Sequence, residues 1–179
     1  ITENRMNDLL GPQPYPELGA LLRRRSNEIL KRWTGEVREL LPKARALSDD
    51  RLRNSIPLLL DEMANTLQYL GPTGAPRLSE MANSHGGIRH RQGYDQEELF
   101  AEYRLLRRIL IEALHDELSG ERAVEKVVAL NMCMDAILQS GAIYFAEGVR
   151  ERETAEVSRD AKHLSFLAHD LRNRLTISR

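Results

Sequence analysis

Cysteine, aromatic residues and net charge are all scarce in this sequence. The one cysteine, Cys133, excludes an internal disulfide framework and fits a reducing compartment. Lysine and arginine number 26 against 27 aspartates and glutamates, so the formal net charge is −1. That balance gives no electrostatic case for binding nucleic acid or an anionic membrane. We therefore expect no nucleic-acid partner.

Long apolar runs are also lacking, since none approaches the roughly 18–20 residues that cross a bilayer. The first residues show neither a signal peptide nor a transit peptide. We expect no membrane span and a cytoplasmic location. The chain begins with Ile1 and stops at Arg179 inside a helical pattern, so we also expect it to be a piece of a longer protein.

The alternation of apolar and polar residues that marks β-strands is absent, and the pattern predicts an all-α fold. With three phenylalanines and one tryptophan, the core is leucine-rich, as is typical of helical packing. Residues 1–14 form a loose arm in this interpretation. The predicted helix ends are marked by Pro16, Pro42, Pro57, Gly71-Pro72, Pro76 and a capping box formed by Asp95 and Glu98.

The last predicted helix, over residues 121–178, dominates the organisation of the chain. Its first part is broadly apolar, and past residue 150 its apolar positions step by three and four residues, a heptad pattern. The members are Thr154, Val157, Ala161, Leu164, Ala168, Leu171 and Leu175. Such a helix is roughly 87 Å long at 1.5 Å per residue. The pattern predicts a parallel homodimer, with a sensory domain over residues 15–149 and a signalling helix over residues 150–179.

Three polar residues near the end of that helix could carry chemistry: His169, Asp170 and Asn173. A nucleophilic imidazole needs a neutral ring, and a neighbouring carboxylate that accepts a hydrogen bond from one ring nitrogen fixes the tautomer. Phosphoryl transfer asks little more of an acceptor than position and charge state. The alternative is that a His-Asp pair on an exposed helix is only surface.

The run from Phe166 to Thr176 resembles the H-box of sensor histidine kinases of two-component systems. Six of seven pattern positions match, and Arg174 stands where the family usually has proline. The resemblance implies that His169 is the phospho-acceptor, that Asp170 assists transfer and that Asn173 serves phosphatase chemistry. It implies ATP and Mg for the full-length kinase, no cofactor in this chain, and the receiver domain of a response regulator as partner. The ATP-binding domain and second dimerisation helix are absent from these residues, so this chain alone should be inactive.

A second resemblance covers residues 15–150 and rests on the run from His85 to Arg107, above all Gly93-Tyr94 and Glu102-Tyr103-Arg104. This run is similar to the N-terminal domains of RsbR/RsbRD-type stress-signalling proteins. The resemblance implies a globin-like, haem-free, dimeric helical domain. Within it, His85, Arg89 and Tyr103 are the candidates for a sensory pocket that receives a small molecule or protein signal.

Two other functions remain open at this stage. The domain could bind haem or a gas, with His85 or His90 as the iron ligand, although His85 before Gly86-Gly87 is also explained by packing. Alternatively, the chain is a non-catalytic stress-signalling scaffold whose last helix only dimerises. Cys133 on an apolar helix is expected to lie in the core.

Overall fold

The computed structural model describes residues 14–70 and 76–177, and it describes side-chain surroundings for residues 14–69 and 77–167. Across these residues the chain is helical and contains no strand, which confirms the all-α prediction. Nearly all of the predicted arm, and the loop between Leu70 and Pro76, lie outside the described residues.

Eight α-helices are described in these ranges. In chain order they are α1 (Pro16–Leu40), α2 (Pro42–Arg45), α3 (Asp49–Arg53), α4 (Ile56–Asn65), α5 (Pro76–Arg91), α6 (Gln96–Ala113), α7 (His115–Leu118) and α8 (Ala123–Ile177). A π-helical turn, Thr66–Leu70, follows α4.

Several helix ends follow the local sequence signals. Pro16 and Pro42 lie in the first turns of α1 and α2, where a missing N–H leaves no hydrogen bond unmade. At the start of α6 the Asp95 carboxylate accepts from the Glu98 N–H at 2.9 Å, and the Glu98 carboxylate accepts from the Asp95 N–H at 2.9 Å. The predicted capping box is therefore confirmed.

Pro57 divides the second helical pattern as predicted. Helix α3 ends at Arg53, and α4 begins at Ile56 with Pro57 in its first turn. Between them Asn54 has a φ of 33°, a backbone conformation that is uncommon for a residue with a side chain. Helix α6 ends at Ala113, whose carbonyl accepts from the Arg25 guanidinium, and the short helix α7 follows it.

The core lies between α1, α4, the π-helical turn and α6, which pack against one another. Its fully buried side chains are mostly leucine and isoleucine with the single tryptophan; they include Leu18, Leu22, Ile29, Trp33, Leu52, Leu59, Leu60, Met63 and Leu67. Burial of this apolar surface is the main force that holds the helices together.

Helices α5 and α8 approach closely at two glycines. A Cβ atom on Gly86 would overlap the carbonyl oxygen of Gly141, whereas a Cβ on Gly87 would meet only the end of the Arg91 side chain. Of the two adjacent glycines, Gly86 therefore makes the close approach. Gly141 in turn faces Tyr103, whose hydroxyl oxygen would overlap a Cβ at residue 141.

One stretch of helix α8 is apolar enough to be compared with the prediction that the chain has no membrane span. Within Ala123–Leu167 an 18-residue window has a mean hydropathy of 1.3, and by length and composition alone it could cross a bilayer. A third of the window is buried inside the protein, and Leu130, Cys133, Met134 and Ile137 are all buried. Core helices of other proteins show the same composition, so this window alone is weak evidence for a membrane span.

The chain divides into two compact units, residues 1–145 and 146–179. The first contains the helical bundle. In the second, every side chain from residue 150 to residue 167 is exposed, including Val157 and Leu164 of the heptad pattern. The coiled coil itself stays a prediction.

Candidate functional site: a buried polar cluster

The three predicted pocket residues come together in the core around a fourth residue, Glu102. His85 and Arg89 lie one turn apart on α5, and Glu102 and Tyr103 lie on α6. All four are at most 1% exposed. Buried charged residues are rare unless they are paired, so this cluster is the most unusual feature of the first unit.

Glu102 is held from two sides. The Arg89 Nε donates to both carboxylate oxygens, at 2.8 and 3.1 Å. The His85 Nε2 lies 3.3 Å from Oε2 of the same carboxylate, and the Ser55 hydroxyl lies 2.8 Å from His85 Nδ1. These contacts fit a neutral imidazole that donates from Nε2 and accepts from Ser55 at Nδ1.

The rest of the Arg89 guanidinium binds the irregular segment around α3. Its Nη2 donates to the Leu52 carbonyl at 2.6 Å, and its Nη1 donates to the Gln92 side chain at 2.6 Å. The rings of Trp33 and Tyr94 flank the guanidinium, with centroids 6.0 and 5.1 Å from its carbon. Arg89 of α5 thus makes hydrogen bonds to both α6 and α3.

Electrostatics favours neutral His85 and ionised Glu102. Burial lowers the pKa of His85, although the Glu102 carboxylate acts in the opposite direction. For Glu102, burial alone would raise the pKa, but the hydrogen bond from His85 and the positive charge of Arg89 outweigh it and lower the pKa. The buried charges are therefore one arginine and one glutamate, which compensate each other.

Three buried donors beside this cluster have no hydrogen-bond partner among the described residues: the hydroxyls of Tyr94 and Tyr103 and the indole N–H of Trp33. Tyr94 is close enough for the Glu102 charge to help burial raise its pKa, but its hydroxyl makes no hydrogen bond of ordinary geometry. Burial also raises the pKa of Tyr103. An unpaired buried donor costs about 1–3 kcal/mol.

The two histidines considered as iron ligands differ in their surroundings. Both ring nitrogens of His85 are engaged, so coordination there would displace Ser55 or Glu102. His90 is half-buried, and its ring meets Phe145 edge-on at 5.5 Å. Cys133 is buried as predicted, and burial raises the pKa of its thiol to about 12. A thiol in that state is a poor nucleophile at neutral pH.

The predicted catalytic residues His169, Asp170 and Asn173 lie on α8, whose helical backbone extends to Ile177. Their side chains are outside the part of the structure that is described. The helix places His169 and Asn173 four residues apart, hence on one face. Their proposed roles stay predictions.

Sequence reasoning named His85, Arg89 and Tyr103 together but missed Ser55, Trp33 and the backbone of α3 as their partners. No local signal could have identified these partners, because they come from segments 30 to 60 residues away along the chain. The exposed residue Arg104, which belongs to the same sequence run as Glu102 and Tyr103, takes no part in the cluster.

Comparison with known proteins gives one match. Residues 27–164 match the family model described as the RsbT co-antagonist protein rsbRD N-terminal domain. No curated protein and no solved structure matches the chain. The matched range covers more than half of the chain and includes every residue of the buried cluster named above. It ends before His169. The chain therefore belongs to the family of RsbT co-antagonist protein rsbRD N-terminal domains.

Proposed function

We propose that this chain is the sensory and dimerisation region of a sensor histidine kinase, in which α8 relays a signal from the helical domain to the phospho-acceptor His169. In the full-length protein, ATP and Mg would supply the phosphoryl group, and the receiver domain of a response regulator would take it from His169. Asp170 would hold the imidazole in the reactive tautomer.

The continuity of α8 is the observation that carries this proposal. Its first part lies in the core through Leu130, Met134 and Ile137, and the same helix runs on to Ile177 without a break. Backbone hydrogen bonds join the successive turns of such a helix. A change in the packing of the helical domain therefore has a direct route to residue 169.

Exposed apolar side chains in the second unit support a homodimer. Val157 is 69% exposed and Leu164 is 66% exposed, and both belong to the heptad pattern. A single chain leaves this seam in water, whereas a second copy in parallel would bury it. Two-fold pairing would also bring together the two helices that carry His169.

A non-catalytic stress-signalling scaffold is the second candidate. It is favoured by the family match, which names a co-antagonist protein and ends at residue 164, before the H-box resemblance begins. In that function α8 would only hold two copies together, and His169 would be an ordinary surface residue.

Phosphate labelling of the full-length protein separates the two candidates. We expect labelled ATP with Mg to give an acid-labile phosphohistidine that disappears in His169→Gln. The matched control is His163→Gln, an exposed histidine on the same helix, which should label normally. Labelling that persists in His169→Gln, or no labelling of the unmodified protein, would overturn the kinase assignment and leave the scaffold.

A further inference from the structure

A surface cavity that is open to solvent lies next to the buried cluster. It has a volume of about 440 Å³ and is lined by Asp50, Arg51, Asn54, Ile88, Arg91 and Gln92. This volume falls within the range of roughly 300–1,000 Å³ that small-molecule sites occupy. The lining comes from α3, the turn after it and the end of α5.

Four polar side chains in this lining have no hydrogen-bond or ion-pair partner among the described residues. Among the described residues, the side chains of Asp50, Arg51, Asn54 and Arg91 make no hydrogen bond and no ion pair, although Arg38 and Arg53 nearby both bind Asp49. The first unit pairs most of its other arginines with carboxylates or carbonyls. The cavity therefore holds two guanidinium groups without a described partner, together with one carboxylate, Asp50.

The charge pattern selects a class of ligand. A guanidinium group matches the geometry of a carboxylate, which it binds through paired N–H donors. Asp50 can accept hydrogen bonds from an ammonium group, and Ile88 offers an apolar contact. We propose that this cavity binds a small zwitterion with the charge pattern of a free α-amino acid, its carboxylate on Arg51 and Arg91 and its ammonium on Asp50.

The cavity is also connected to the buried cluster. The Gln92 side chain in the lining donates to the Arg51 carbonyl at 2.9 Å and accepts from Arg89 at 2.6 Å. Arg89 binds Glu102, and the next residue, Tyr103, packs on Gly141 of α8. A ligand that moves Arg51 or Gln92 would thus disturb a chain of contacts that ends on α8. This site deepens the proposed function by naming the class of signal.

Calorimetric titration of the chain with the standard L-amino acids tests the proposal. We expect saturable binding of at least one of them, weakened about tenfold or more in Arg51→Gln and in Arg91→Gln, since each loses a charge-assisted hydrogen bond. Both residues are exposed, so the variants should fold. The matched control is Arg24→Gln, which changes an exposed arginine on α1 that does not line the cavity. This variant should bind amino acids as tightly as the unmodified chain does.

Analogues of the best ligand define the class. We expect the analogue without the amino group and the analogue without the carboxylate both to bind more weakly. Trp33, the single tryptophan, should change its emission in parallel, because it lies against Arg89. The proposal is overturned if no amino acid binds saturably, or if inorganic phosphate binds and no amino acid does. It is also overturned if the Arg51 and Arg91 variants bind amino acids as tightly as Arg24→Gln does, or if Trp33 emission does not change on binding. None of these results would alter labelling at His169, so this failure is distinguishable from failure of the kinase assignment.

Discussion

The residue that most determines the interior of the first unit is Glu102, because it compensates Arg89 and orients His85 at the same time. Removing one member of a buried ion pair leaves the other charged and unpaired in a region that solvates it poorly. Each of the two charges is therefore stabilised by the other.

We expect Glu102→Leu and Arg89→Met each to lower the free energy of unfolding by about 3–5 kcal/mol. The double variant should lose less than the sum of the two single losses, because removing both residues leaves no unpaired buried charge. Urea denaturation of the four proteins gives these values. Arg108→Ala is the control; its ion pair with Glu36 is exposed, so its loss should cost less than about 1 kcal/mol. Strict additivity in the double variant would contradict the pairing.

His85 gives the first unit a pH-dependent stability. Its pKa is lowered from 6.5 in the folded state, so below that pH the unfolded chain binds a proton that the folded chain excludes. Stability should therefore fall as the pH drops below about 6.5, by at most about 1.4 kcal/mol per pH unit for this proton. The contribution of Glu102, whose folded pKa is lowered from 4.5, is lost only at more acidic pH.

Urea midpoints measured from neutral pH down to about pH 5 test this slope. His85→Gln should flatten it, whereas His115→Gln, which changes an exposed histidine, should retain it. An unchanged slope in His85→Gln would show that His85 is not held neutral by its surroundings.

At the scale of elements, α8 approaches α5 and α6 closely at two glycines, Gly86 and Gly141. We expect Gly141→Ala to destabilise the protein by about 1–3 kcal/mol, because the new methyl group would overlap the Tyr103 hydroxyl. Tyr103→Phe should partly restore stability by removing the hydroxyl. Gly35→Ala is the matched control, since a Cβ there meets nothing within 4 Å and should stabilise α1 by about 0.5–1 kcal/mol. Thermal unfolding measures all three; a harmless Gly141→Ala would contradict the close contact between Tyr103 of α6 and Gly141 of α8.

The elements themselves could largely be predicted from the sequence, whereas their partners could not. Prolines at residues 16, 42 and 57 and the Asp95–Glu98 capping box act locally, so their effects on helix ends are visible in a few adjacent residues. The contacts of Arg89 with the Leu52 carbonyl and of His85 with Ser55 depend on how distant helices pack. Arg51 and Arg91 of the surface cavity could not be identified from the sequence either, because their proximity also depends on how distant helices pack.

At the scale of the whole molecule, the two units differ in what stabilises them. The first has its own buried core, and the apolar side chains of the second from Val157 to Leu167 remain in water in a single chain. An isolated helix with an exposed apolar seam is marginal in water. Pairing of two copies along that seam would remove the apolar side chains from water and would hold both α8 helices in register.

Cysteine cross-linking along the seam tests this pairing most directly. In a parallel, in-register dimer each seam residue faces its own copy at a distance that a disulfide can span. We expect Ala161→Cys to form a disulfide-linked dimer under mild oxidation, visible on a non-reducing gel, and Arg159→Cys, two residues away and off the seam, to remain mostly monomeric. The buried Cys133 is common to both variants. A monomeric Ala161→Cys, or equal cross-linking of the two variants, would contradict a homodimer joined along α8.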